Sequence, residues 1–278
     1  MNRKERARIA AETVEITEKG AYTSPAGAVV DLRGAIEASL RGTVTYLPEG
    51  DIPETSGAHA TRIEVFNETT LEGAERLAAE SSEPVAVLNF ASAFHPGGGF
   101  LSGAQAQEES LARASALAHL LDGHEMYAVN RELGNPLHTD HLIFTPGVPV
   151  FRDDDGRLLE QPQLVSMLTA PAVNAKRVAK EYPHRVPEIP TVMERRIHRV
   201  LGALAQQGCG YVVLGAWGCG VFGNDPTMIA SLFDKALAEG FAGVFQRVRF
   251  SVLDLSVEQA TYQAFKRPFR VEPSGQPA

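Results

Sequence analysis

Between residues 60 and 255, short β-rich runs alternate with segments whose apolar residues recur every three to four positions. That alternation predicts an α/β sheet with crossover helices. Strands are expected at "TRIEVFN", "PVAVLNF", "HLIFTP", "QLVSMLTAP", "GYVVLGA" and "VRFSVLD". Two of them, "PVAVLNF" and "GYVVLGA", are nearly continuous apolar runs, as interior strands covered on both faces require. Helices are expected at "TTLEGAERLAAESS", "QEESLARASALAHLL", "TVMERRIHRVLGALAQQ", "PTMIASLFDKALAEG" and "SVEQATYQAFKR". Within "PGVPVFRDDDGRLLEQPQ", Pro146 to Gln163, the "DDDG" reads as a turn closing a hairpin beside the main sheet. The opening "MNRKERARIAAETVEITEKG" has basic residues but no uninterrupted apolar stretch, so it reads as an amphipathic helix and not a signal peptide. The economical division is a helical and β extension over 1–58, a core over 59–268, and a Pro- and Gly-rich tail over 269–278 expected to fray.

Composition narrows this only slightly. A chain of 278 residues can bury roughly three quarters of its unfolded surface, and 44% hydrophobic with 22% charged residues is ordinary for a globular protein. No apolar run approaches the roughly 20 residues of a membrane span, and the cytoplasm is the expected compartment. A net charge of −8 argues against broad nucleic-acid binding, which needs a concentrated positive surface. Cys209 and Cys219 lack companions at zinc-ligand spacing and are expected to be reduced and inert. "HTDH", His138 to His141, resembles a metal cluster in composition alone; a solvated turn before a strand is the reading adopted, and no metal is assigned.

Ligands on open α/β sheets collect beyond the carboxyl ends of the strands. Two glycine-rich loops fall there. One follows "PVAVLNF" and contains Gly97, Gly98 and Gly99; the other follows "GYVVL" and reads "GAWGCGVFGNDP", Gly215 to Pro226. Glycine runs let backbone N–H groups converge on an anion without a Cβ in the way. The second loop also ends in a capping side chain ahead of proline, so the helix after it is expected to offer its N-terminus to the same anion. Taken singly, each loop is explained as a tight turn; as a pair after apolar strands they predict a phosphate or diphosphate site. Neither matches the dinucleotide fingerprint or the Walker lysine loop, and the want of lysine points to a ligand held by dipoles.

Beyond seven intervening residues, Gly99 is followed by the triplet Gln107-Glu108-Glu109 at a predicted helix start, where acidic residues are favoured on structural grounds alone. Adjacent helical residues diverge by about 100°, so the two carboxylates cannot flank one bond from opposite sides. They should have different tasks, one as a proton donor and one as an acceptor for sugar hydroxyls.

"GGG", seven residues and "QEE" together resemble the signature of bacterial-type poly(ADP-ribose) glycohydrolases, and "GAWGCGVFGNDP" resembles that family's diphosphate loop. The resemblance extends over about residues 60–255. It implies a macrodomain-like fold, a mixed α/β sheet flanked by helices with an N-terminal extension, and hydrolysis of ribose–ribose O-glycosidic bonds with no cofactor. By motif position Glu109 would be the catalytic acid and Glu108 would contact the terminal ribose. Gly97, Gly98 and Gly99 would cradle that ribose and its diphosphate, with Gln107 in the substrate-binding set. Gly218, Cys219, Gly220, Val221, Phe222 and Gly223 would cover the diphosphate, with Phe222 against the ribose, although it also suits a loop aromatic filling the core. Asn89 stands where macrodomains place a ribose-binding asparagine, although it also suits a strand-end cap; the next such asparagine position is Ser92, a departure from plain macrodomains. The implied substrate is poly(ADP-ribose) or ADP-ribosylated protein and the product ADP-ribose, with no direct DNA or membrane partner. A non-catalytic ADP-ribose reader and a mono-ADP-ribosyl hydrolase are the competing readings.

Overall fold

The computed structural model describes residues 1–269, so the tail expected to fray lies, but for its first residue, outside the described residues. Helix α1 (Arg3–Lys19) is capped by Asn2, whose side chain accepts from the Glu5 N–H, and ends at Gly20 in the left-handed region. A two-stranded ribbon, β1 (Ala21–Thr23) and β2 (Val29–Asp31), leads to α2 (Arg33–Gly42) and β3 (Val44–Tyr46). Then come β4 (Arg62–Phe66), α3 (Thr70–Glu80) and β5 (Val85–Phe90). Helices α4 (Gln107–Ala114), α5 (Leu117–Leu120) and α6 (Glu125–Leu133) precede the long strands β6 (Leu142–Arg152) and β7 (Leu158–Ala170). The remainder is α7 (Ala175–Glu181), α8 (Ile189–Gln206), β8 (Tyr211–Leu214), α9 (Pro226–Lys235), β9 (Arg247–Ser251) and α10 (Ala260–Lys266).

Seven strands form one mixed sheet in the order β3-β6-β7-β5-β8-β9-β4. The run from β7 to β4 is parallel, whereas β6 is antiparallel to both its neighbours. β5 lies between β7 and β8, which explains its unbroken apolar run: Val85 and Val87 enter one core, Ala86 and Leu88 the other. One core is closed by α7, α8, α9 and α10. The other is closed by α3, α4, α5 and α6 together with Ile16, Tyr22, Val30, Leu32 and Ile36 of the N-terminal segment. Residues 1–58 therefore cover a sheet face and add the edge strand β3. No helix among the described residues is long and apolar enough to cross a membrane.

Four expectations change. The hairpin expected beside the sheet is part of it, because the "DDDG" turn joins β6 to β7, with Gly156 at φ 81. The helix expected over 107–121 breaks at Ser115, whose hydroxyl donates to Leu111 O at 2.7 Å, accepts from the Leu117 N–H at 3.2 Å, and replaces two backbone bonds. "VRFSVLD" leaves the sheet after Ser251, and α10 begins only at Ala260, where Asp254 Oδ2 accepts from the Thr261 and Tyr262 N–H groups. The helices α6 and α7 were not expected, and α2 and β3 fall within the helical and β extension expected over 1–58 without having been placed individually.

Candidate active site

The carboxyl ends of β5 and β8 face one cleft of about 870 Å³. Its wall includes Gly98, Gly99, Gln107, Glu108 and Glu109 from the first loop and α4, and Gly218, Cys219, Gly220, Val221 and Phe222 from the second loop. The two motifs distant in sequence thus line one site. No lysine or arginine lines it among the described residues.

α4 is fixed to the end of β5 by Gln107. Its amide accepts from the Phe90 N–H at 2.9 Å and donates to Leu88 O at 2.8 Å and to Thr70 Oγ1 at 3.1 Å. Gln107 borders the cleft, but its polar atoms are engaged within the protein. Glu108, 3% exposed, points back under the loop: the Ser92 N–H donates to its Oε2 at 2.6 Å and Asn89 Nδ2 approaches Oε1 at 3.4 Å. The Glu108 carboxyl is pushed up to about 8, chiefly by burial and in lesser part by Glu109, against the Ser92, Asn89 and Gly97 donors. Glu109 sits on the open side of the pair, its Oε1 accepting from the Gly99 N–H at 3.0 Å.

Asn89 does not reach the cleft. It is fully buried and divides its amide donor between Glu108 and Thr169 Oγ1, so it supports Glu108. Gly97 and Gly223 also lie behind the wall; Gly97 packs where a Cβ would meet that of Ala112 at 2.9 Å, and Gly223 beneath the Lys176 side chain. Gly98 is glycine for two reasons: φ is +58, and a Cβ would stand 2.5 Å from Glu109 Oε1.

The two loops also differ in what they offer an anion. In the first, the N–H groups of Gly98, Gly99 and Phe100 are spent on His95 O, Glu109 Oε1 and Gly97 O. That loop holds the glutamates and is no anion nest. In the second, the N–H groups of Gly220, Val221 and Phe222 have no protein partner among the described residues. The expected contribution from the α9 N-terminus is absent, because Asp225 Oδ1 accepts from the Thr227 and Met228 N–H groups and places a carboxylate there. Cys219 is no nucleophile: burial, reinforced by Asp225, pushes its thiol up to about 12.

Sequence reasoning missed several wall residues, His138 and His95 among them. "HTDH" is buried, with Asp140 paired to Arg195 and Arg196 and His141 Nδ1 2.8 Å from Thr139 Oγ1. His138 borders the cleft between the rings of Phe94 and Phe222. Its Nδ1 lies 2.8 Å from Ala172 O, and burial pushes it down to about 4, so the ring is neutral with the proton on Nδ1. No group of three or more His, Cys, Asp or Glu poised to hold a metal ion occurs among the described residues.

With this geometry in hand, comparison with known proteins is informative. A family model, the microbial-type PARG catalytic domain, matches residues 10–153. No curated protein matches by sequence. The poly(ADP-ribose) glycohydrolase of Thermomonospora curvata bound to the inhibitor ADP-HPD is similar at 48% identity and TM-score 0.87, over 96% of this chain and 100% of that one. The Deinococcus radiodurans glycohydrolase in complex with ADP-ribose is similar at 44% identity and TM-score 0.81, over 86% of this chain and 98% of that one.

Proposed function

This chain belongs to the microbial-type poly(ADP-ribose) glycohydrolase family, and from that premise we propose that it hydrolyses the ribose–ribose O-glycosidic bonds of poly(ADP-ribose) and releases ADP-ribose. The observation that carries the reading is that Glu108 and Glu109 share one cleft with the unpartnered amides of Gly220, Val221 and Phe222. A diphosphate accepts from those amides, and the ribose attached to it then lies against Phe222 and over the glutamates. ADP-ribose bound to the Deinococcus glycohydrolase supports the same occupant here.

The two carboxyls divide the chemistry. Glu108 is neutral below about pH 8 in the ligand-free protein, so it presents a sugar hydroxyl with a donor as well as an acceptor. Glu109, held by Gly99, delivers a proton to the departing 2′-oxygen as an oxocarbenium-like ribose forms. Its carboxylate then takes a proton from the water that attacks the anomeric carbon. The reading places the protein in the cytoplasm, with ADP-ribosylated proteins as carriers of its polymer.

Glu109→Gln is expected to lower kcat on poly(ADP-ribose) by roughly 10²- to 10⁴-fold, the usual worth of a positioned general acid. ADP-ribose affinity should stay within a few-fold. Product release followed by chromatography and affinity measured by calorimetry decide it. Undiminished turnover by the variant removes Glu109 from the role, and a wild-type protein that binds ADP-ribose but leaves polymer intact is a reader.

A further inference from the structure

The chain is acidic as a whole, at net charge −8. Against that background the first turns of α1 gather Arg3, Lys4, Arg6 and Arg8 around a single acidic residue, Glu5. Arg3, Lys4 and Arg8 are exposed and Arg6 is half-buried. Their place in the fold is specific. Arg3 Nε donates to Ser102 O at 2.9 Å and Arg6 Nε to Gly103 O at 2.9 Å. Gly103 must be glycine for α1 to lie there, since φ is +74 and a Cβ would meet the Arg3 carbonyl oxygen at 2.1 Å. The Ser102 N–H donates to Gly99 O at 3.0 Å, and the Gly99 N–H donates to Glu109 Oε1 at 3.0 Å. Three successive hydrogen bonds therefore separate the basic turns from the proposed acid. The influence is electrostatic too: the pKa of Arg113, one helical turn beyond Glu109, is lowered first by burial and then by Arg6. Nor does the cleft stop at Glu109, because Gln105, Ala106 and Ser110 continue its wall.

We propose that the basic first turns of α1 form a second binding surface, which takes the diphosphates of the poly(ADP-ribose) chain that departs from the scissile bond. The proposal rests on the glycohydrolase reading. The terminal unit occupies the cleft, whose walls carry no lysine or arginine among the described residues, while the rest of the polymer leaves from the bond beneath Glu109 with a diphosphate in every unit. The cations needed for that polyanion are gathered on α1, where Arg3 and Arg6 bond to the 102–103 segment of the loop that holds Glu109 through Gly99. Each phosphate neutralised releases condensed counterions, so capture at this surface is steeply salt-dependent.

Lys4 and Arg8 test the surface without loosening the loop, since neither bonds to it and the ion pair recorded for Arg8 is with Glu12 on the same helix at 3.4 Å. Alanine at both positions preserves the helix. For Lys4→Ala/Arg8→Ala, the KM for long polymer is expected to rise roughly tenfold at low salt. The slope of log KM against log salt should flatten by about 0.7 for each cation removed. ADP-ribose, which reaches only the cleft, should bind both proteins alike by calorimetry. Unchanged KM and slope overturn the proposal. In the wild-type protein, long polymer should show a steeper salt slope than ADP-ribose, and equal slopes overturn it independently of any variant. If the double substitution weakens a single-stranded DNA of equal phosphate number while leaving the polymer KM intact, the surface serves nucleic acid and the assignment falls. Failure of the wild-type protein to bind ADP-ribose or cut polymer is a separate result, which removes the glycohydrolase reading itself.

Discussion

Glu108 holds a carboxyl almost wholly buried at the edge of the cleft, with an amide and an asparagine as its partners. Its folded-state value of about 8 lies above the unfolded one near 4.5. Such a group stabilises the fold fully below the unfolded value, and that contribution is lost as pH rises through the folded one. Between about pH 5 and pH 9 the wild-type protein should therefore lose a few kcal/mol relative to Glu108→Gln, whose amide does not ionise. Thermal unfolding of both proteins across that range reads the difference; parallel curves would mean that the buried carboxyl titrates normally. Sequence spacing identified the glutamates, but it did not reveal that Glu108 is buried, because the groups that enclose it, Asn89 near the end of β5 and Ser92 just after it, are brought beneath α4 only by the fold. For the same reason the glycines ahead of the pair looked like an anion nest. Their amides are taken by Glu109 and by the turn itself, a pairing visible only once α4 is laid against the loop.

Between elements, the decisive contact is the one Gln107 makes with β5. Its side chain pairs with the backbone as a short extra strand would, so α4 starts in one fixed place relative to Phe90. Gln107→Leu leaves a buried donor and a buried acceptor unsatisfied and should cost about 2 to 4 kcal/mol. Urea titration measures the loss as a lower midpoint with unchanged slope, and a variant as stable as wild type would show that water replaces the amide. The strands of the parallel run were legible because burial on both faces leaves an unbroken apolar string, as in β5 and β8. Helix boundaries were less so. Ser115 interrupts a good apolar period with two side-chain bonds, and α10 starts late because Asp254 caps it from a distance in sequence. The reach of the "DDDG" turn was missed because β6 and β7 continue through prolines that a β-bulge accommodates.

At the scale of the whole molecule, the N-terminal segment completes the core as much as it extends it. Ile16, Tyr22, Val30, Leu32 and Ile36 cover a sheet face, each contributing roughly 1.5 to 3 kcal/mol. Their sum is comparable to the entire stability of a domain, about 5 to 15 kcal/mol. A protein beginning at residue 59 is accordingly expected to lack a cooperative thermal transition in calorimetry, and a sharp one would establish the segment as dispensable cover. Charge is distributed just as unevenly as this cover. Among the described residues the cleft wall bears no lysine or arginine, whereas α1 carries four cations in its first turns. An anion held by backbone dipoles leaves without breaking an ion pair, while a chain held by cations remains. Shedding one unit and keeping the rest is the physical basis of processivity, and the cation-free cleft makes each freed ADP-ribose the more loosely held of the two.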